Sequence, residues 1–362
     1  MKCLVTGASG FIGSNIVKEL MKEGYQVKCL VRENSNLENL IGLDIEIVKG
    51  DIQNKESLLS AMNGCDFVFH AAALYTFWSR DKNDFYRTNV EGTKNVLDSA
   101  LEKKIKRLVY TSTTATLGAS KTNKPISESD SIEQEKKIDL WKVKDHYIRS
   151  KTIAEREVLK YSRDLDVVIV NPSAPLGWGD VKPTPTSLLV LKFLDGEVPF
   201  YTDVGLSFVY VKDVARGHIL ALKNGKSGER YILGGHNLSL TGFFKVLSEV
   251  TGLKKPAIRI PKKLLLVGIP FVGLLEFFSK ITKKPPVITR SQLRSARYNF
   301  FYSSDKAKKE LNYSISPLEI ALNESVLFFL SDMKNKLRRK IVEKKIMEKE
   351  TVDKLRRKSE ND

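Results

Sequence analysis

The stretch Thr6-Gly7-Ala8-Ser9-Gly10-Phe11-Ile12-Gly13 lies between a short apolar run, Cys3–Thr6, and a segment whose apolar residues Ile12, Ile16 and Leu20 recur at helical spacing. A glycine turn joining a first strand to a first helix has a defined physical use. It permits a tight reversal, brings backbone N–H groups close to a pyrophosphate, and lets helix and strand pack closely, while the helix N-terminus favours negative charge. Gly7, Ser9, Gly10, Phe11, Ile12 and Gly13 are therefore candidate contacts for a dinucleotide.

Outward from this turn, short β-branched runs alternate with helical patterns: a helix to about Met21, then Gln26–Val31, Ile45–Val48, Phe67–Phe69, Leu108–Thr111 and Val167–Val170. The runs are continuous rather than alternating, which predicts strands buried on both faces. The expected class is α/β, a doubly wound parallel sheet of Rossmann type with a smaller, mostly helical lobe. We expect a dinucleotide-binding domain over 1–177, completed by 205–235, a substrate lobe from 178–204 and 236–330, and a basic helical or disordered tail over 331–362. Pro/Gly punctuation from Pro172 to Pro185 marks the change of pattern, followed by a helix near Ser187–Leu194 and strands at Phe208–Val211 and Arg230–Leu233.

The chain has 362 residues and a formal net charge of +17, and 42% of its residues are apolar, which excludes a disordered chain and a disulfide-stapled miniprotein. Its three cysteines sit in or beside apolar runs, as reduced buried thiols do, and predict a cytoplasmic location. Met1 leads directly into the first strand, so the chain is expected to start there without a secretory leader. Leu264–Leu275 is too short and too interrupted by Gly268, Pro270 and Gly273 to span a bilayer. Residues 334–362 hold twelve Lys/Arg against six Asp/Glu. Leu330, Met333, Leu337 and Ile341 predict one apolar stripe there, with fraying beyond Ile341; a solvated tail is favoured over weak peripheral contact with anionic membrane. Nucleic acid is not expected as a partner, because the basic residues lack interleaved aromatics.

The second strand ends in Arg32, which suits the 2′-phosphate of NADP(H) over NAD(H), although Glu33 follows and offers a carboxylate for a ribose hydroxyl. Asp51 and Ile52, after the third strand, are placed to border an adenine. Ala71, Ala72 and Ala73 close the fourth strand with small side chains where a cofactor passes. None of the four histidines has metal-ligand spacing, so no metal is expected. Hydride exchange with a carbinol needs a proton donor, and Tyr147 with Lys151 one helical turn later supplies a phenol and a cation to acidify it. At the end of the fifth strand Thr111 is expected beside the cofactor, and Thr113, with Ser112 as the fallback, offers a hydroxyl to hold a substrate oxygen. A second Tyr-x-x-x-Lys, Tyr302 to Lys306, reads as the surface of a late helix.

Taken together, the glycine turn, His70–Ala73, Asn89-Val90-Glu91-Gly92-Thr93 and Tyr147/Lys151 resemble the extended short-chain dehydrogenase/reductase family over about residues 1–330. The dihydroflavonol-4-reductase-like branch is the most similar, in particular the hopanoid-associated sugar epimerases, through Val170–Gly177, Val181–Thr186 and Gly228–Gly235. The resemblance implies an NAD(P)-dependent oxidoreductase or epimerase acting on a small molecule, with Thr113, Tyr147 and Lys151 catalytic. It also implies Asn89, Asn171, Pro172 and Ser173 beside the cofactor, and a homodimer through the helices around 85–103 and 147–161. A ketone reductase is the alternative, and a non-catalytic dinucleotide sensor a more distant one. Leu206 stands where nucleotide-sugar epimerases of the family carry an arginine for the substrate diphosphate. Arg290, Arg294 and Arg297 either replace that cation or form a solvated helix face, and Phe77 and Trp78 either line a substrate pocket or belong to the core.

Overall fold

The computed structural model describes residues 1–76, 79, 81–130, 145–262, 264, 272, 293 and 295–359. The first half runs β1 (Lys2–Thr6), α1 (Phe11–Lys22), β2 (Gln26–Val31), β3 (Glu46–Lys49), α2 (Lys55–Met62), β4 (Phe67–His70), α3 (Asn83–Tyr86), α4 (Gly92–Glu102), β5 (Arg107–Thr111), α5 (His146–Tyr161) and β6 (Val167–Pro172). It continues through β7 (Ala174–Leu176), α6 (Pro185–Asp195), β8 (Phe200–Tyr201), β9 (Gly205–Tyr210), α7 (Val211–Asn224), β10 (Arg230–Leu233), β11 (His236–Ser239), α8 (Leu240–Thr251) and β12 (Ile258–Arg259). After these come α9 (Asp305–Leu311), α10 (Leu318–Phe329) and α11 (Lys336–Ser359).

Seven strands form one parallel sheet in the order β3-β2-β1-β4-β5-β6-β10. Strand order reverses around β1, which pairs with both β2 and β4, and such a reversal opens a crevice at the carboxyl ends of the strands. One sheet face is covered by Ile16, Val17 and Leu20 of α1 and Val214, Ala215 and Ile219 of α7. The other is covered by Leu58 and Met62 of α2, Val96 and Leu97 of α4, and Ala154 and Val158 of α5. This two-sided burial explains the uninterrupted apolar runs of the central strands. The edge strand β3 departs from the expectation: Glu46, Ile47 and Lys49 are exposed, and only Val48 of this strand packs against a core.

A third core joins Phe193 and Leu194 of α6, Phe243, Phe244 and Leu247 of α8, and Leu322, Val326 and Phe329 of α10. Phe243 stacks on Phe208 of β9 with ring centroids 4.2 Å apart, which ties this core to the three-stranded sheet β11-β9-β7. Val211, expected to end a strand, instead opens α7. Tyr302 is buried beside Ile126 and donates to the Gly118 carbonyl at 2.8 Å, so it lies before α9 rather than on a helix surface. Leu264–Leu275 lies mostly outside the described residues. No helix among the described residues is long and apolar enough to cross a membrane.

The tail departs most from its expected pattern. α11 runs on to Ser359, and its inward face is Val342 and Ile346 rather than Leu337 and Ile341. The chain turns after α10 and begins a new helix at Asn335, whose side chain accepts from the Arg338 amide at 3.2 Å; that restart resets the helical phase. Arg338 then donates to the carbonyls of Leu194 (2.7 Å) and Phe193 (2.9 Å), capping the C-terminal end of α6 with a cation. Val342→Ala is expected to lower stability by about 2 kcal/mol, and Ile341→Ala by no more than about 0.5 kcal/mol. Urea unfolding followed by circular dichroism checks this; equal losses would show that α11 packs on the other face.

Candidate active site

The glycine turn is held by contacts that tolerate no side chain. Gly7 has φ +69°, and a Cβ there would meet the Ala72 nitrogen at 2.7 Å and the Ala71 carbonyl carbon at 2.8 Å. A Cβ on Gly13 would lie 2.1 Å from the Gly7 carbonyl oxygen. β1, α1 and the end of β4 therefore meet at backbone distance. Gly10 caps α1 without a side-chain hydrogen bond, and no acidic residue occupies the first turn. The first amides of α1 are thus left to an anion, and the cradle fits the pyrophosphate of a dinucleotide.

A cavity of about 1010 Å³ extends from this turn along the strand ends. Its walls include Gly7, Ser9, Gly10, Phe11, Ile12 and Gly13 at the turn, Arg32 after β2, Asp51 and Ile52 after β3, and Ala71, Ala72 and Ala73 after β4. Thr111, Ser112 and Thr113 after β5, Tyr147 and Lys151 on α5, and Pro172 and Ser173 at β6 complete the far end. Arg32 is part of the wall, and Glu33 is not.

Several expected contacts lie elsewhere. Asn89 is buried in a π-helical turn between α3 and α4, where it holds the Leu74 amide (2.7 Å), the Leu74 carbonyl (3.2 Å) and the Ser150 hydroxyl (2.9 Å). It shapes the segment after β4 from behind the wall instead of reaching the cleft. Asn171 is fully buried and donates to the Thr113 carbonyl (3.1 Å) and Thr116 Oγ1 (3.2 Å), which is also a supporting position. Arg297 is exposed, with its guanidinium 5.8 Å from the Tyr298 ring, and is not part of the described wall. Phe77, Trp78, Arg290 and Arg294 lie outside the described residues.

The four histidines hold structural hydrogen bonds. His70 joins Thr6 (2.7 Å) to Thr93 (3.0 Å), and His218 joins Thr111 (2.9 Å) to the Val214 carbonyl (2.7 Å). His146 meets the Tyr86 hydroxyl at 3.3 Å, and His236 the Ser316 carbonyl at 2.9 Å.

At the chemical end, the 3₁₀ turn that Thr113 caps leaves its side chain beside Tyr147. Ser112, the alternative hydroxyl, is committed to the Glu155 carboxylate. Burial pushes the Tyr147 phenol well up from its ordinary value, and a hydrogen bond with Thr113 pulls it down. The Lys151 ammonium is engaged by the fifth strand. It donates to the Tyr110 hydroxyl and the Thr111 carbonyl, each at 2.8 Å, and burial lowers its pKa to about 7 while Glu155 raises it. Tyr147 is therefore a protonated phenol at neutral pH, and Lys151 is poised to exchange its charge near neutrality.

Sequence reasoning assigned 178–204 to a substrate lobe but named none of the residues that roof the cleft as part of the site. Residues 179–192 fold over the glycine turn: the Asn39 side-chain amide donates to the Gly179 carbonyl at 2.8 Å, and that of Asn15 to Trp178 at 3.4 Å. Thr184 caps α6 with Pro185 at its first position, which places Pro183, Pro185, Leu188 and Leu189 in the wall with Tyr75. The Pro/Gly punctuation marked this segment, but the tertiary contacts with Asn39 and Asn15 decide where it goes.

Residues 3–234 match the NAD dependent epimerase/dehydratase family. A putative dihydroflavonol 4-reductase of Synechocystis sp. is 39% identical over 330 residues, covering 90% of this chain and 93% of that protein. Sterol demethylase protein B of Methylococcus capsulatus is 30% identical over 333 residues, covering 91% and 98%. Among solved structures, gox2253 superposes with a TM-score of 0.80 at 37% identity, covering 92% of this chain and 99% of that one. A UDP-glucuronic acid 4-epimerase from Bacillus cereus in complex with NAD shares the fold, with a TM-score of 0.70 at 21% identity, covering 92% and 100%. With a glycine cradle shaped for a dinucleotide and a tyrosine and lysine at its far end, the chain belongs to the NAD-dependent epimerase/dehydratase family, the extended short-chain dehydrogenases/reductases.

Proposed function

We propose that the protein is an NADPH-dependent reductase of a ketone on an apolar, ring-bearing small molecule. The observation that carries this reading is the single cleft that joins the glycine cradle and Arg32 at one end to Thr113, Tyr147 and Lys151 at the other. When bound, a nicotinamide supplies the hydride. The chain's own residues do the rest. Thr113 holds the substrate oxygen in line with Tyr147, and the phenol, kept protonated by burial, delivers its proton to that oxygen. The Lys151 ammonium offsets the negative charge left on the tyrosine oxygen, so turnover is expected to fall as pH rises above about 7 and that cation is lost.

Tyr75, Pro183, Pro185, Leu188 and Leu189 give the cleft an apolar wall beside Lys182 and Lys192, which supports a flat or polycyclic carbonyl as the substrate. The names of the relatives, dihydroflavonol 4-reductase, cinnamoyl-CoA reductase and a sterol demethylase protein, support that class. A sugar epimerase linked to hopanoid synthesis is the second reading, favoured by the matched family. It uses the same residues twice and regenerates its cofactor each turn. Against it, Leu206 pairs with Leu238 and packs into the third core, so that position brings no cation to a substrate diphosphate. A homodimer through α4 and α5 and a cytoplasmic location complete the proposal, with weak membrane contact through the basic α11 kept as the less favoured alternative to a solvated tail.

Stoichiometric NADPH oxidation with ketones, and none with nucleotide sugars, is the expected result; interconversion of sugar epimers without net oxidation would reverse the assignment. Tyr147→Phe should keep NADPH affinity while kcat falls by about 100- to 10,000-fold, and unchanged turnover would remove the phenol from the mechanism. Arg32→Asp should shift the NADPH/NADH preference toward NADH by about tenfold or more, read from the ratio of kcat/KM values; no shift would mean that Arg32 meets no phosphate.

A further inference from the structure

Beneath the floor of the cleft lies a buried ion pair that the reaction itself does not use. Glu155 sits one turn beyond Lys151 on α5, is 1% exposed, and meets Arg230 of β10 at 2.6 Å through Oε1. Its other oxygen accepts from the Ser112 hydroxyl, from Thr116 Oγ1 at 3.0 Å and from Asn171 Nδ2 at 3.1 Å. The Thr113 carbonyl accepts from Asn171 Nδ2 at 3.1 Å and lies 2.8 Å from Thr116 Oγ1, whose single hydroxyl hydrogen is shared between that carbonyl and the Glu155 carboxylate. One carboxylate thus ties α5, the end of β5, β6 and β10 together, and holds the backbone of the residue whose side chain meets Tyr147. A buried ion pair adds little net stability over apolar packing, so its value is sought in geometry and field.

We propose that Glu155, paired with Arg230, is a positioning residue for proton transfer: it clamps Thr113 opposite the Tyr147 phenol through Thr116 and Asn171, and sets a carboxylate one helical turn from the Lys151 ammonium. This rests on the function proposed above. The groups around Lys151 define the field it feels. Tyr147 and Glu155 lie on its own helix, the Tyr110 phenol and Thr111 carbonyl come from β5, and His70 from β4 senses its charge. β6 contributes the neutral Asn171, β10 the Arg230 cation behind Glu155, and the turn after Thr113 no charge. On α4, Asp98 is bonded to Tyr161 at the far end of α5; Asp84 of α3 and Asp81 pair with Arg87 at the surface, and Glu91 is exposed on the same turn.

The field and the clamp separate by mutation. Glu155→Gln removes the charge that favours the lysine cation and should lower the Lys151 titration midpoint by about one pH unit. Arg230→Gln leaves that carboxylate uncompensated and should raise the midpoint. A purely structural role would lower activity in both variants without moving the midpoint in opposite directions. The midpoint is read directly from the lysine ¹³Cε shift of the full chain, assigned with Lys151→Met, and therefore needs no substrate. Glu155→Asp keeps the charge but loses reach. It should hold the midpoint near that of the parent protein while kcat for NADPH oxidation with 1-phenylpropane-1,2-dione falls by about tenfold to a hundredfold, with the KM for NADPH unchanged. Circular dichroism confirms folding, and the Asp variant keeps the proposal open to test where the Gln variant does not fold. Midpoints that stay put or move together, or an Asp variant with full kcat, would overturn the clamp. A parent protein that oxidises no NADPH with any ketone would overturn the proposed function, while the ¹³C titration still judges the field.

Discussion

The architecture rests on a backbone contact rather than on a side chain. The Gly13 α-carbon lies so close to the Gly7 carbonyl, and Gly7 so close to the Ala71–Ala72 peptide, that a single added methyl group at either glycine would overlap them. That approach seats α1 directly over the end of β1 beside β4, at the one place where strand order reverses. Because the sheet is parallel and covered on both faces, its strand ends all open on the same side, and a cofactor-sized cleft forms there without a separate device.

The chemistry depends on a second constraint, the placement of α5 across the ends of β5 and β6. Its apolar face, Ala154 and Val158, is fixed by the core on one side of the sheet, while Tyr147, Lys151 and Glu155 recur at one-turn intervals along the helix. The three residues meet different surroundings: Tyr147 the cleft and Thr113, Lys151 the Tyr110 phenol and a strand-end carbonyl, Glu155 a ring of buried donors. Burial then acts in opposite senses on the two titratable groups nearest the cleft, holding the phenol neutral and weakening the lysine's hold on its proton. The simple picture of an ammonium acidifying an adjacent phenol is incomplete here, because the lysine is engaged by Tyr110 and Thr111 and desolvation dominates the tyrosine.

Much of the cleft was legible in the sequence for local reasons. The glycine turn, the small residues after β4, Arg32 and the Tyr147/Lys151 pair act within one or two turns of chain, where spacing determines proximity. Asn89 and Asn171 were legible as important but not as supports. Their amides reach Leu74, Ser150, Thr113 and Thr116, contacts that only the packed sheet creates. The tail shows the same limit: a helical stripe was visible, yet the restart at Asn335 moved its apolar face by enough to bury Val342 and expose Leu337.

The sequence by itself determined the parallel sheet, the glycine turn between its first strand and helix, and the one-turn spacing of Tyr147 and Lys151, since these follow from hydrophobic continuity, glycine sterics and helical periodicity. The tertiary structure alone decided which oxygens and ammonium groups face one another. Glu155 and Arg230 are 75 positions apart in the chain, and Asn39 meets Gly179 across 140; no local pattern encodes such meetings. They arise because burying polar groups at the strand ends is tolerable only when each finds a partner, and those partners are supplied by whichever strand the sheet brings alongside.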